Sequence, residues 1–171
     1  MLRWWHSIKI MKVKLEPIPK TEGIKTTLPK IDFTDTFSTT NHQDSLAEIS
    51  RLVFAKVPKW IEFLMRLRNS LVKVFGLKTE KPADFHENFK VGGYVGFFKI
   101  FSIEPNEIIM GADDKHLNFR VSIYNSGEAT FNIKVTTLVE YNNSFGRWYM
   151  AIVKPFHHIV VKVMVKQAYK S

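Results

Sequence analysis

The chain of 171 residues has no cysteine. That excludes disulfide bonds, a thiol nucleophile and any cysteine-ligated metal, and it fits a cytoplasmic setting. Long uninterrupted apolar runs are also missing. Met1 to Ile10 carries Arg3, Trp4, Trp5 and His6, without the apolar core of about seven or more residues that a secretory signal requires. The apolar stretch near the C-terminus is broken by Lys154, His157, His158 and Lys162, which argues against an integral membrane span and for a soluble protein. A phosphate-binding loop is absent. Val91-Gly-Gly-Tyr-Val-Gly holds three glycines, but in neither the dinucleotide nor the nucleoside-triphosphate spacing, and it leads into Phe97-Phe-Lys-Ile-Phe rather than a helix. Glycines there suit a strand whose backbone bends or approaches another chain segment closely. No motif for a cofactor or a metal is legible.

Charge is one-sided but dispersed. A net charge of +9 is spread through every segment with no basic run, which argues against nucleic acid. Lys154, Lys162 and Lys166 come nearest to a patch. They read first as a solvated helix face, and second as a surface for an acidic partner or an anionic membrane.

What is present is a globular composition, 45% hydrophobic with fourteen phenylalanines, enough for one domain with a wide aromatic interior. Pro17, Pro19, Gly23 and Pro29 break residues 1–30 into short pieces, so these are expected to form a partly extended or flexible N-terminal extension, with a second plausible start at Met11. Residues 31–171 are expected to form a single domain. Its first strand is expected over Ile31 to Thr39. Ser45 and Glu48 form a capping box that starts a helix with Leu46, Ile49, Leu52 and Val53 on one face. Pro58 opens a second helix that runs through Trp60, Leu64, Leu67 and Leu71 to a glycine stop at Gly76. Arg68 falls in the middle of that helix's apolar stripe, either as a snorkelling stem or as a charge anchored against a cavity or a carboxylate.

The hairpin after Met110 is the most specific local pattern. Leu117, Phe119, Val121 and Ile123 alternate, as do Ala129, Phe131, Ile133 and Val135. A three-residue turn at Asn125-Ser126-Gly127 pairs Ile123 with Ala129 and Phe119 with Ile133, with Gly127 in the left-handed position. His116, Asn118, Arg120, Asn132, Lys134 and Thr136 then share the opposite face and are expected to meet water. Thr137 and Val139 continue the inner face. Phe145 to Tyr169 reads as a lid helix, hinged at Pro155, with Phe145, Tyr149, Ile152, Phe156, Ile159 and Val163 turned inward. His158 falls on the wet face and His157 at the border, which separates their roles.

The order of one strand, two short helices, several antiparallel strands and a long C-terminal helix resembles the helix-grip fold of the START-like, birch-pollen-allergen (SRPBCC) superfamily. In that α+β fold a curved antiparallel sheet wraps around the C-terminal helix and an apolar cavity. More narrowly, four groups of residues resemble the bacterial family DUF2867. They are Pro58-Lys-Trp with Leu67-Arg68-Asn69 and Phe75-Gly-Leu-Lys78; Gly111-Ala-Asp-Asp-Lys-His-Leu; Thr136-Thr-Leu-Val; and Gly146-Arg-Trp-Tyr149 with Pro155-Phe-His157. The resemblance implies no established activity. Some members follow a short-chain-dehydrogenase-like domain, so an NAD(P)-binding partner protein is implied by analogy alone. It marks Arg68, Asp113, Asp114, His116, Thr137 and His157 as candidates.

Three functions remain open. The first is a binding module for a small apolar or amphipathic ligand, lined by Phe98, Phe119, Phe131, Val139, Tyr149 and Phe156, with Arg68, Thr137 or His157 meeting a polar group. The second is a small enzyme of cyclase, dehydratase or hydrolase type using His157 or His116 as base, with Asp114 as partner. The third is a structural or interaction domain with a filled core.

Overall fold

The computed structural model describes residues 12–54, 58–62 and 88–171. Among these described residues, seven antiparallel strands form one curved sheet in the order β1-β2-β7-β6-β5-β4-β3. The first long strand, β2 (Phe33–Thr39), pairs along its length with the last, β7 (Ile133–Tyr141), while β7, β6 (Leu117–Asn125), β5 (Glu107–Asp113) and β4 (Phe98–Ile103) follow as a meander. Two short strands close the edges, β1 (Lys14–Glu16) beside β2 and β3 (Tyr94–Val95) beside β4. The helix α3 (Ser144–Lys166) crosses the inner face together with α2 (Leu46–Phe54). This is the expected α+β helix-grip architecture.

Local chemistry explains the helix ends. Ser45 and Glu48 bond reciprocally, the Ser45 amide donating to Glu48 Oε2 at 2.9 Å and the Glu48 amide to Ser45 Oγ at 3.3 Å. Asn143 caps α3 by accepting from the Gly146 amide at 3.1 Å. Ile49 and Val53 of α2 are fully buried against Ile100, Met110 and Ile123 in the main core. Residues 59–62 open a further helical segment whose Ile61 joins that core; the rest of the predicted second helix, Arg68 included, lies outside the described residues.

The hairpin register differs from the expected one. Ile123 meets Val135 rather than Ala129, and Phe119 meets Val139 rather than Ile133, so each partner moves by six residues. An even displacement keeps the same residues on the same face. Residues 126–132 form the connection instead of a tight turn, because residues 40 and 41 hold it. The buried Asn132 side chain exchanges hydrogen bonds with the Asn41 backbone at 2.9 Å each way, and the Phe131 amide donates to Thr40 Oγ1 at 2.8 Å with φ at 55°. Gly127 does take the left-handed conformation, at φ 73°.

The opposite sheet face is not the wet surface expected of it: Arg120, Asn132 and Thr136 are all buried. Residues 21–28, with the short helix α1 (Glu22–Thr26), lie over it. Ile24 and Leu28 pack on Leu138, and Thr21 and Ser122 hydroxyls donate to the buried Glu107 carboxylate at 2.7 and 2.6 Å. The approach is so close that a β-carbon at Gly23 would stand 2.4 Å from Glu107 Oε2. Arg120 lies over the Phe101 ring at 3.7 Å and pairs through one terminal nitrogen with the exposed Asp113 at 2.6 Å.

The C-terminal helix is continuous through Pro155 rather than divided there. Ala151, whose carbonyl loses its hydrogen bond to that proline, is exposed, so water can replace the missing donor. Its orientation also departs from the expected one. Gly146, Met150, Met164 and Val165 are buried toward the sheet, while Ile152, Phe156 and Ile159 are 47, 55 and 58% exposed. The helix carries two apolar arcs, and periodicity alone does not say which one is covered. Close packing at Gly146 decides it, since a β-carbon there would stand 2.1 Å from the His116 carbonyl oxygen.

Candidate functional site

Strand β2 turns Phe33, Asp35 and Phe37 toward the helix. Asp35 is therefore a carboxylate on an apolar face, 5% exposed in its side chain, opposite Thr137 of β7 in the strand register. Both adjacent histidines of α3 reach it. His157 Nε2 lies 3.3 Å from Asp35 Oδ1 and 3.1 Å from Oδ2, and His158 Nε2 lies 3.2 Å from Oδ2. The Phe33 ring stands edge-on to His157 at 5.7 Å, and the Phe37 ring edge-on to His158 at 5.8 Å. The expected separation of the two histidines fails because one carboxylate beneath the helix lies within reach of both.

The cluster is incompletely bonded. The His157 contact to Oδ1 has hydrogen-bond geometry, but Asp35 Oδ2 and His158 Nε2 are buried atoms that make no hydrogen bond. Such atoms ordinarily find a partner. Their residues, Asp35 and His158, line an open groove of about 400 Å³ between the β2 edge and α3, together with Leu15, Glu16, Asp32, Phe33, Thr34, Thr36 and Lys154. The groove exists because β1 stops at Glu16, opposite Thr36, and leaves the start of β2 without an outer neighbour. Lys154 Nζ lies over the Phe33 ring at 5.4 Å. Burial would raise the Glu16 carboxyl, but hydrogen bonds from Lys134, Lys14 and Ser38 outweigh it and hold it down at about 2. Hydrogen bonds from Lys30 and the Tyr141 backbone likewise lower Asp32. Both of these lining carboxylates are thus already engaged.

The other residues marked in the sequence fall elsewhere. His116 sits in the β5–β6 turn, where its ring contacts Asn143 at 3.0 Å and packs at a tilt against the Phe145 ring, centroids 4.5 Å apart. Its backbone amide, not its imidazole, bonds Asp114, at 3.2 Å. Asp113 is committed to Arg120. These residues join the turn to the start of α3 and do not touch the Asp35 cluster. Phe98 and Phe119 pack edge to face in the core at 5.6 Å. Val139 is buried with Phe33, Leu117 and Met150, and Tyr149 packs against that group. Phe131 lies in the β6–β7 connection and Phe156 faces outward. Sequence reading missed Asp35, although a signal existed: it breaks the apolar alternation of Phe33 and Phe37 as Arg68 breaks that of its helix. Among the described residues, no group of three or more histidine, aspartate or glutamate side chains could hold a metal ion, and no helix is long and apolar enough to cross a membrane.

An antiparallel sheet gripping a C-terminal helix, with a carboxylate between them, places the molecule among α+β helix-grip domains. Residues 27–164 match the family model described as "Protein of unknown function (DUF2867)", and the chain belongs to that family. The match takes in β2 through most of α3 and leaves β1 and α1 upstream. No curated protein and no solved structure shows significant similarity to the chain.

Proposed function

We propose that the domain binds a small amphipathic molecule carrying a hydroxyl group, in the groove between β2 and the C-terminal helix. One observation carries this reading: Asp35 Oδ2 and His158 Nε2 stand 3.2 Å apart where their residues line the groove, yet neither makes a hydrogen bond. A turn of the half-exposed His158 ring would admit a hydroxyl that serves both at once, donating to the carboxylate and accepting from the imidazole. Phe33 and the exposed Leu15 offer apolar surface to the rest of the ligand, an arrangement typical of small-molecule sites. The interface beneath the helix is occupied by packed side chains, from Phe37 and Val135 to Met164 and Val165. This favours a ligand held at the edge of the grip rather than at its centre. Native mass spectrometry of the purified chain tests the proposal. The wild type should retain a small amphiphile, or take up added octanol, and His158→Ala should do neither at an unchanged melting temperature. Equal retention by the variant would contradict it.

A second reading rests on the same geometry. A carboxylate holding an imidazole is the arrangement that orients a general base, so a cyclase, dehydratase or hydrolase would use His157 or His158 with Asp35. His116 has no carboxylate on its ring among the described residues, so this reading belongs to the groove.

A further inference from the structure

We infer that the outward face of the C-terminal helix docks the domain on anionic membrane surfaces. The inference is independent of the groove and rests on the exposed apolar residues of this helix. Ile152, Phe156 and Ile159 are each about half exposed, and Trp148, 54% exposed, lies on the same arc. On helical geometry Phe156 and Ile159 fall within about 40° of Ile152, and Lys162 and Lys166 lie within about 80° along one flank. The sheet-facing Met150, Val161 and Met164 project on the other side of the helix, so sheet packing does not compete for this arc.

Charge selects the occupant. From Ser144 to Lys166 the helix contains no aspartate or glutamate, and of its four cations Lys162 and Lys166 flank this arc, whereas Arg147 and Lys154 project away from it. The whole chain carries +9. A second copy presenting the same face would bring lysines against lysines, a repulsive match, whereas an anionic bilayer satisfies the lysines and buries the apolar residues together. Large apolar and aromatic side chains beside lysines on one helical face are the pattern of an interfacial helix. The apolar residues would enter the headgroup boundary and the lysines would meet lipid phosphate. The helix would lie on the surface rather than cross it.

Vesicle co-sedimentation of the full chain tests this with phosphatidylcholine vesicles, with and without phosphatidylglycerol, at low and high salt. The wild type should bind the anionic vesicles, bind the neutral ones far less, and weaken as salt screens the attraction. Two variants separate the two contributions. Phe156→Ser with Ile159→Ser should lose binding about tenfold or more in both salts, and Lys162→Glu with Lys166→Glu should lose it by a similar factor chiefly at low salt. All four positions are exposed, so both variants should keep the wild-type melting temperature, and that is measured alongside. Failure of the wild type to sediment with anionic vesicles would overturn the inference, as would undiminished binding by the serine variant. Wild-type dimers that become monomers in the serine variant would also overturn it, by assigning the face to self-association.

Discussion

Double-mutant cycles on Asp35 measure how its cluster is held together. His157 donates to Asp35 with hydrogen-bond geometry, and the two side chains are 17 and 5% exposed. A hydrogen bond to a charged group in such a setting contributes about 1.5–3 kcal/mol, and the 3.3 Å separation favours the lower end. His158 stands as close, at 3.2 Å, but lacks the geometry and is 42% exposed, so its coupling should be about 0.5 kcal/mol or less. The assay is urea unfolding at neutral pH of Asp35→Asn, His157→Gln, His158→Gln and the two doubles that include position 35. The coupling energy for each pair is the departure from additivity. A His158 coupling equal to or above that of His157 would refute the reasoning, because His158 would then be fully committed to the fold and not left for a ligand. Two couplings near zero would refute it as well.

Three further outcomes follow from the geometry. Glu16 is held at about 2 against an ordinary 4.5, so its contribution to stability should be whole above that ordinary value and lost as pH falls toward 2. The gap in melting temperature between wild type and Glu16→Gln should therefore close across that window. Gly146→Ala forces a β-carbon onto the His116 carbonyl and should cost about 2–3 kcal/mol in urea unfolding. Ser45→Ala removes one half of the reciprocal cap on α2 and should cost about 1 kcal/mol.

How legible this was in the sequence differs by element. The capping box at Ser45 and Glu48, the alternation of β6, and the start of the C-terminal helix each rest on neighbouring residues, and each appears in the fold; the alternation of the next strand holds from Ile133 onward, while Ala129 and Phe131 fall in the connection. The partner of a strand residue rests on distant ones. Asn41 and Thr40 hold the β6–β7 connection open, and nothing near Asn125 announces that. The covered face was misread for the same reason. Arg120, Thr136 and Asn132 look solvated in their own strands, but distant segments cover that face: residues 21–28 return over Leu138 and Glu107, Asn41 holds Asn132, and Phe101 lies against Arg120. On α3 both arcs are apolar, so the choice between Met150 and Ile152 as the inward residue needed the contact of Gly146 with the β5–β6 turn. The site was half legible. His157 and Thr137 were singled out, while Asp35, which joins the histidines, passed for one polar residue in an ordinary strand.

Histidine side-chain NMR during titration with octanol tests the central claim most directly. If the groove is a ligand site, the His157 and His158 imidazole resonances and the amides of Phe33 to Thr36 should shift together and saturate, with His116 unmoved and His158→Ala abolishing the response. Octanol that leaves both imidazoles unchanged, or shifts core resonances around Ile49 and Ile123 instead, would contradict it.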